Sequence, residues 1–503
     1  MAPDDPACRR VTCVSVAGVS RIAVFVGAAV TVLLAAFASG YGYHRDELYF
    51  VASGRHLDWA YVDQGPITPL IARAMTEIAP HSLTVLRLPS AFAAGITVLL
   101  TGLLGRELGG SRRAQSLAAL CAAVAVIVLF TGHMLSTSTF DLLVWTAVTW
   151  LAVRAVRTGD DRLWLVAGVV LGVGLLNKPL PAFLAIGLLV GVALAGPRRL
   201  LRNPYVWSGA AIALALWSPW ILWQADHGWP QIDVSRSIAA GGSASSEAWW
   251  AIVPFQLLLV SPLLAPVWIA GLVKLFRDPA LRDVRFVAWA WVVLAGVFMA
   301  TAGKPYYLAG LLPVLIAAGA VQVQGWLERG RMRIRRAALV AALAVSAVVD
   351  PIIALPVLPA DGIGPVIAVN DDVGEMIGWP EFVQTVAAVH RGLPDAERTV
   401  ILTRNYGEAG AIDRYGPALA LPRAYSGHNA YGDWGPPPDV STAVIAVGLG
   451  SREIAAHLRD CTLAARIDNR AGVENEEQGN AVMVCRGPRR PWSQQWPALR
   501  HLG

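Results

Sequence analysis

The chain is predicted to be a polytopic α-helical membrane protein that carries a small α/β domain at its C-terminal end. Three observations lead there. Of 503 residues, 55% are hydrophobic and 15% charged, against roughly 25% charged in ordinary soluble domains. Eleven apolar runs approach the length of a bilayer crossing, and from Ala360 onward such runs stop while Pro, Gly, Asp and Asn become frequent.

The eleven runs lie at about 21–40, 83–104, 114–131, 137–153, 163–177, 180–196, 205–223, 251–273, 286–302, 306–323 and 337–357. A helix needs ~20 apolar residues to cross, so 163–177 and 180–196 are the short members. The connecting loops alternate in charge. One set holds Arg9, Arg10, Arg21, Arg106, Arg112, Arg113, the 154–162 and 198–202 arginines, Lys274 to Arg285, and the arginines of "ERGRMRIRR" at 328–336. The other holds Arg45, Arg55, Arg73, Arg87, Lys178, Arg236 and Lys304, which is 7 cations against 21. Cytoplasmic loops carry the excess of Lys and Arg. The N-terminus is therefore expected inside and the 41–82 loop outside.

Ala36-Phe37-Ala38 resembles a signal-peptidase site. The preceding apolar region is long for a signal peptide, and its removal would misplace the C-terminal domain, so the first span is read as retained. The net charge of +6 follows the same topology logic and gives no reason to expect nucleic acid. The 328–336 arginines are read as an anchor that also meets anionic lipid.

These spans define a membrane module over 1–358 and an extracytoplasmic domain over 359–503. Within the latter, "RTVILT" (398–403), "TAVIAVGLG" (442–450) and "NAVMVC" (480–485) read as buried strands, with helices at 407–415 and 452–465. Cys461 and Cys485 are its two cysteines. An oxidising exterior would let them pair; two separate buried thiols are the alternative.

The unusual residues gather at the outer membrane face. Asp46 and Glu47 follow the first span directly, with His44 and Arg45 beside them. Asp63 and Gln64 come later in the same loop, in the Pro-containing turn "YVDQGPITP". Asp141 sits at the outer start of a span, where it is either a cavity-facing acid or a helix-start carboxylate satisfied by backbone amides. Lysine is the sharper signal. The chain has three Lys and 38 Arg, and two of the three are Lys-Pro steps at outer helix ends, Lys178 and Lys304. A compact ammonium kept at two matching places suggests one shared anion, whereas snorkelling to the interface explains a single lysine more easily than two.

Carboxylates and separated cations around one outer cavity suit displacement of a lipid phosphate from a sugar. A carboxylate can act as general base toward the acceptor. The leaving phosphate needs cations more than a proton donor. On that reading Asp46 and Glu47 activate the acceptor, while Lys178, Lys304 and Arg45 hold the phosphate. The chain has no Walker-type loop, HExxH or CxxC, and the glycines of "GRELGGS" (105–111) lack the strand-loop-helix setting of a phosphate loop.

"YGYHRDELYFVASGRHLDWAYVDQGPITPLIAR", "GVGLLNKPLPAFL", "PWILWQADHGWP", "GKPYYLAGLLPVLIAAGA" and "NYGEAGAIDRYG" resemble blocks of the GT-C glycosyltransferases, the clan of protein O-mannosyltransferases and lipid A aminoarabinose transferases (glycosyltransferase family 39 type). The resemblance spans nearly the whole chain and implies a GT-C fold. It also implies an inverting transfer from a polyprenyl-phosphate-linked sugar to a lipid, glycan or protein acceptor, outside the cytoplasmic membrane. It makes Asp46 and Glu47 catalytic, with Asp46 the base, and adds Asp141. "PYY" offers Tyr306 or Tyr307 to the phosphate, although aromatic residues also line membrane interfaces for other reasons. Where aminoarabinose transferases have Glu-Lys-Pro-Pro, with a metal-binding acid and a phosphate-binding lysine, this chain has Asp63-Gln64-Gly65-Pro66. The acid is kept and the lysine is not, leaving a divalent cation at Asp63 as an open option. His44, Asp63, Gln64, His428 and Asn429 are candidate contacts to sugar or acceptor, with Tyr431 and Trp434 in the same polar, aromatic 424–436 segment; an ordinary turn-rich loop is the alternative there. The competing function is a lipid-linked sugar flippase or transporter without transfer chemistry. It should show matching midplane breaks in two halves; the charges here cluster at one face instead.

Overall fold

The computed structural model describes residues 18–242, 245–329, 332–394, 396–441 and 443–503. Arg9, Arg10, Arg331 and Thr442, used above for topology and for one strand, lie outside the described residues.

Helices occupy all eleven predicted places. They are α1 (Arg21–Phe37), α4 (Leu83–Glu107), α5 (Arg112–Ala123) with α6 (Val126–His133), α7 (Thr137–Thr158), α8 (Leu163–Leu175), α9 (Pro181–Ala195), α10 (Pro204–Asp226), α12 (Ile252–Val260) with α13 (Ala265–Arg277), α14 (Phe286–Ala300), α15 (Leu312–Leu327) and α16 (332–354). The first outer loop is itself helical, with α2 (Arg45–Ser53) and α3 (Ile67–Ile78). A further short helix, α11 (Pro230–Ala239), follows α10.

Among the described residues their lengths vary, and the two runs expected to be short, 163–177 and 180–196, are short. Five are long and apolar enough to cross alone: α4, α7, α10, the continuous segment 305–327 and α16. Four are shorter apolar helices, α1, α8, α9 and α14. The predicted span 114–131 is a pair bent by 57°, and the predicted span 251–273 is a pair bent by 116°. The second bend has a local cause. Pro262 lacks an N–H and crowds the residue before it, and Ser261 sits at φ +138°. The chain is a multi-pass membrane protein, with the 251–273 segment broken rather than straight.

The bundle closes through small residues that let backbones approach, as membrane helices do without a hydrophobic drive between them. A side chain at Gly271 would collide with the Leu315 carbonyl of α15, and one at Gly319 with the Val267 carbonyl of α13.

The C-terminal part begins after α16 with α17 (Gly364–Ile367) and α18 (Trp379–Arg391), followed by a five-stranded sheet. Its strands are β1 (Thr399–Thr403), β2 (Ala424–Ser426), β3 (Ala443–Val447), β4 (Thr462–Arg466) and β5 (Ala481–Cys485), in the order β2-β1-β3-β5-β4. β1 pairs in parallel with β2 and β3, while β5 pairs antiparallel with β3 and β4. The three predicted strands are present, as is the helix at 407–415, here α19 (Tyr406–Tyr415). The helix expected over 452–465 ends at His457, and residues 462–466 instead form the edge strand β4. This correction has a simple source. β4 has largely exposed side chains, so it carries no apolar run to mark it. Cys461 and Cys485 are disulfide-bonded. A buried cluster of α2 residues (Leu48, Tyr49, Phe50) with Trp379, Phe382 and Ile412 joins the sheet part to the first outer loop.

Candidate active site

Asp46 lies in the first turn of α2, and its surroundings follow from how that helix starts. His44 is the N-cap: its Nδ1 accepts from the Asp46 amide at 3.2 Å, and the Glu47 carboxylate accepts from the His44 amide at 2.8 Å. This reciprocal capping box fixes the register of α2. Successive helical residues point ~100° apart, so Asp46 and Glu47 face different surroundings.

Glu47 points inward. Both of its oxygens receive Arg87, at 2.8 and 2.7 Å, and the Leu135 amide donates to Oε1 at 2.8 Å. Arg87 also reaches the carbonyls of Ala38 and Gly42. Both side chains have zero exposure. Glu47 therefore ties α1, α2, α4 and the start of α7 together, and the expectation that it acts in the chemistry gives way to a positioning role. His44 spends its Nδ1 on the cap, while its buried Nε2 has no partner among the described residues.

Asp46 points the other way and remains partly exposed. Its Oδ1 accepts a 2.8 Å hydrogen bond from the Tyr406 hydroxyl, at the start of α19. Burial by itself pushes the carboxyl up, but the charges of His44 and Arg45, the Tyr406 hydrogen bond and the Lys304 ammonium outweigh it, so its pKa lies below the usual range. Asp46 is an anion at neutral pH.

Arg45 is already engaged by acids. Its guanidinium pairs with Glu476 at 2.5 Å and Glu375 at 3.7 Å, and lies over the Tyr406 ring at 5.2 Å. Its buried Nε has no partner among the described residues.

Lys178 is set by a brace that the sequence did not advertise. Asn177 accepts from Thr68 Oγ1 at 2.6 Å and donates to the Thr137 carbonyl at 2.8 Å, locking the Asn177-Lys178-Pro179 turn between α3 and α7. The Lys178 ammonium lies 5.2 Å from the Tyr306 ring centre and 5.4 Å from that of Tyr307. Burial pushes it down, and the Asp141 and Asp46 carboxylates oppose that shift. Asp141 is on the second turn of α7, where Ser136 supplies the cap. Its Oδ1 accepts from Trp145 Nε1 at 3.1 Å, so the helix-start reading of Asp141 does not hold.

Lys304 precedes the 3-10 turn Pro305–Leu311, which Gln256 of α12 braces by donating to the Pro305 carbonyl at 2.8 Å. Its ammonium is pushed down to about 8 by burial and then by Lys178, against the pull of Asp46, Asp372 and Asp63. Neither lysine forms an ion pair with a described residue. Asp46, Asp141, Lys178 and Lys304 thus act on one another's charge, and Tyr306 and Tyr307 sit beside Lys178.

Asp63 lies close by, with Oδ1 accepting from Tyr49 at 2.8 Å and Oδ2 from Asn429 at 2.9 Å. Burial raises it to about 6 despite the Tyr49 bond. Both oxygens are occupied by neutral donors, and among the described residues no group of three His, Cys, Asp or Glu could hold a metal. The donor set at Asp63 does not fit a divalent cation. Gln64 is buried and its amide finds no partner among the described residues, which leaves it free to pair with a ligand.

His428 and Asn429 support the site from behind. His428 stacks on Tyr406 at 4.6 Å and its Nε2 is bonded to the Gly503 carbonyl. Asn429 spends its amide on Asp63 and its carbonyl oxygen on the Gly503 amide. Both are buried and brace Tyr406 and Asp63, and His428 Nδ1 has no partner among the described residues. Tyr406 was missed. The available signals were the capping box Asn405–Glu408 directly after β1 and the place of β1 between two parallel partners, where open parallel sheets collect ligands at the strand ends.

Comparison with known proteins bears on the fold and on sequence likeness. Residues 63–223 match the family model for dolichyl-phosphate-mannose-protein mannosyltransferase. Half of the chain, over 272 residues, is 29% identical to undecaprenyl phosphate-alpha-4-amino-4-deoxy-L-arabinose arabinosyl transferase 1 of Pseudomonas fluorescens, and the match spans 46% of that relative's length. The fold is shared with ArnT from Cupriavidus metallidurans, crystallised with undecaprenyl phosphate, at a TM-score of 0.57 and 14% identity over 92% of this chain and 97% of that one. It also matches the oligosaccharyltransferase AglB from Archaeoglobus fulgidus, solved with an inhibitory peptide and dolichol-phosphate, at 0.51 and 12% over 85% and 70%. The fold expected from the resemblance is the fold shared with these structures.

Proposed function

We propose that the protein is a glycosyltransferase that moves a sugar from a polyprenyl-phosphate donor to an acceptor hydroxyl or amine at the outer face of the cytoplasmic membrane, with inversion at the anomeric carbon. The observation that carries this reading is an anionic Asp46 that shares its electrostatic surroundings with two lysines, neither of which forms an ion pair with a described residue. The likeness to a relative named for undecaprenyl-phosphate-linked aminoarabinose transfer points to the same donor class.

In the proposed step the acceptor attacks the anomeric carbon from the face opposite the phosphate. The new carbon–acceptor bond forms as the carbon–phosphate oxygen bond breaks, and that electron pair stays on the departing polyprenyl phosphate. Asp46 receives the acceptor's proton. Its lowered pKa makes it a weak base in the ground state, so proton transfer comes as attack progresses and the nucleophile acidifies. Lys178 and Lys304 meet the charge that grows on the phosphate. At an effective dielectric of ~20 each such contact at 4 Å is worth ~4 kcal/mol in gross attraction, and the part that strengthens toward the transition state lowers the barrier. Tyr306 and Tyr307 flank the phosphate, and Asp141 holds Lys178 in its charged form.

The topology that suits this chemistry has the N-terminus in the cytoplasm and two modules, 1–358 in the membrane and 359–503 outside it. The α19 helix of the second module supplies Tyr406 to the site of the first.

The test is transfer by the purified protein in lipid, using radiolabelled polyprenyl-phosphate sugar and a membrane extract as acceptor. Label should move to acceptor, and Asp46→Asn should lower the rate by about 10²–10⁴-fold. Movement of intact donor across the bilayer without transfer would make it a flippase instead.

A further inference from the structure

A second cleft lies on the outer side, separated from Asp46 by a layer of aromatic rings. It encloses about 170 Å³ and is lined by Arg55 and His56 from the turn after α2, by Asp413 of α19, by Arg423 beside β2, and by Tyr431 and Trp434. Nothing in the proposed transfer step uses these groups.

Its charge is the first clue. Arg55 and Arg423 are exposed at the rim, and neither forms an ion pair with a described residue. Both charges reach Asp413, where they oppose the rise that burial causes. Asp413 is held in place by the Ala424 amide at 3.1 Å and the Tyr431 hydroxyl at 2.9 Å. A fixed carboxylate can accept from sugar hydroxyls, and two guanidinium forks match a phosphate or carboxylate. The lining is aromatic as well. Trp434 packs on Tyr431 at 4.5 Å and on His56 at 4.3 Å.

The cleft is also preorganised. The Tyr61 hydroxyl donates to the carbonyls of Ser53 and His56, both at 3.0 Å, and so pins the turn that carries Arg55. Its volume is below the roughly 300 Å³ at which sites for drug-sized ligands begin, which suits one sugar ring. The same turn continues to Leu57 and Trp59, both exposed, and Asp58 accepts from Trp223 of the membrane helix α10 at 2.8 Å. An exposed Trp at that level belongs at a membrane interface, so the cleft opens where a lipid-anchored glycan presents its headgroup.

We propose that this cleft is a subsite for an anionic sugar of the acceptor, a sugar that carries a phosphate or carboxylate. The inference rests on the glycosyltransferase reading and specifies the acceptor class. A stack of buried rings joins the wall of the cleft to the reacting centre. Tyr431 lies 6.4 Å from Tyr49, Tyr49 stacks on Tyr406 at 4.6 Å, and Tyr406 bonds Asp46.

The experiment is calorimetric titration of the full-length protein in detergent with glucose 1-phosphate, methyl glucoside and inorganic phosphate. It is repeated in Arg55→Gln, Arg423→Gln and the double variant Lys178→Gln/Lys304→Gln. Glucose 1-phosphate should bind more tightly than either the neutral sugar or phosphate alone. It should lose about 10- to 100-fold in each arginine variant, as for a charge-assisted hydrogen bond, and lose nothing in the lysine variant. Equal binding of inorganic phosphate, which would mark an adventitious ion only, overturns the proposal. So does loss in the lysine variant, or unchanged binding in the arginine variants. Undecaprenyl phosphate is titrated separately. Its failure to bind the unmodified protein would count against the donor reading while leaving the cleft to be decided by its own arms.

Discussion

Tyr406 donates a 2.8 Å hydrogen bond to Asp46 across 360 residues of sequence, so the C-terminal part of the chain reaches the candidate site begun by the 41–82 loop. Tyr406 is itself held on both faces, by Tyr49 and His428 at 4.6 Å each. Substitution by Phe would keep the stacking and remove only the donor.

Tyr406→Phe is therefore expected to fold normally and to lower kcat/KM by about 10-fold or more, the worth of a hydrogen bond to a charged group. It carries a pH signature. Asp46 works as the anion, and the Tyr406 bond is one of the contacts that lower its pKa. Without it the acid limb of the rate profile moves to higher pH. A uniform drop with no movement of that limb would mean Tyr406 only shapes the cavity.

Lys304 sets the opposite limb. Burial pushes its ammonium down to about 8, so the charge that the proposed step offers to the phosphate is present at neutral pH and lost as pH rises through that value. The profile of kcat/KM, which reports the free enzyme, should fall above about pH 8. Lys304→Arg should flatten that fall while lowering the rate, because a planar fork replaces a point charge.

Glu47→Gln tests structure rather than chemistry. It leaves Arg87 buried with a neutral partner, and breaking a buried pair typically costs about 3–5 kcal/mol. Thermal denaturation in detergent should show a marked loss of stability at every pH. Substituting Asp46 by Asn should leave the melting temperature nearly unchanged. The reverse pattern would contradict the division of roles between these neighbours.

A pH effect on stability is expected where Arg45 meets its acids. Burial, reinforced by the charge of Glu477, raises Glu375 to about 8, with Arg45 opposing, and burial raises Glu477 to about 7. Both folded pKa values exceed the unfolded value, so their contribution is full below about pH 4.5, falls as the unfolded chain loses these protons, and is gone above about pH 8. The melting temperature should fall between about pH 5 and pH 8 and level off above that, and Glu375→Gln should reduce that slope.

How much of this was legible in the sequence depended on cost. Asp46, Lys178 and Lys304 stood out because ionised groups at span ends are expensive and, in a chain with three lysines, conspicuous. Only the resemblance favours Asp46 over Glu47 as the base, since adjacent helix positions differ only in the direction that tertiary packing gives them. Arg45 looked like a phosphate ligand because its partners, Glu375 and Glu476, lie more than 300 residues away. The broken 251–273 span was visible as Ser261-Pro262 but was weighed as apolar length alone. Tyr406, Gln256 and Asn177 are ordinary residues locally, and they matter only through contacts made after folding. The exposed β4 strand lacked any pattern to betray it.

The central claim is that an early carboxylate and two later ammonium groups meet at one donor phosphate. Cryo-electron microscopy of the protein with undecaprenyl phosphate in a lipid nanodisc tests it most directly. The account predicts the phosphate oxygens within hydrogen-bond distance of Lys178 and Lys304, beside Tyr306 and Tyr307, with Asp46 facing the cavity just beyond. Density for the phosphate at any other place on the protein, with both lysines left unengaged, would contradict it.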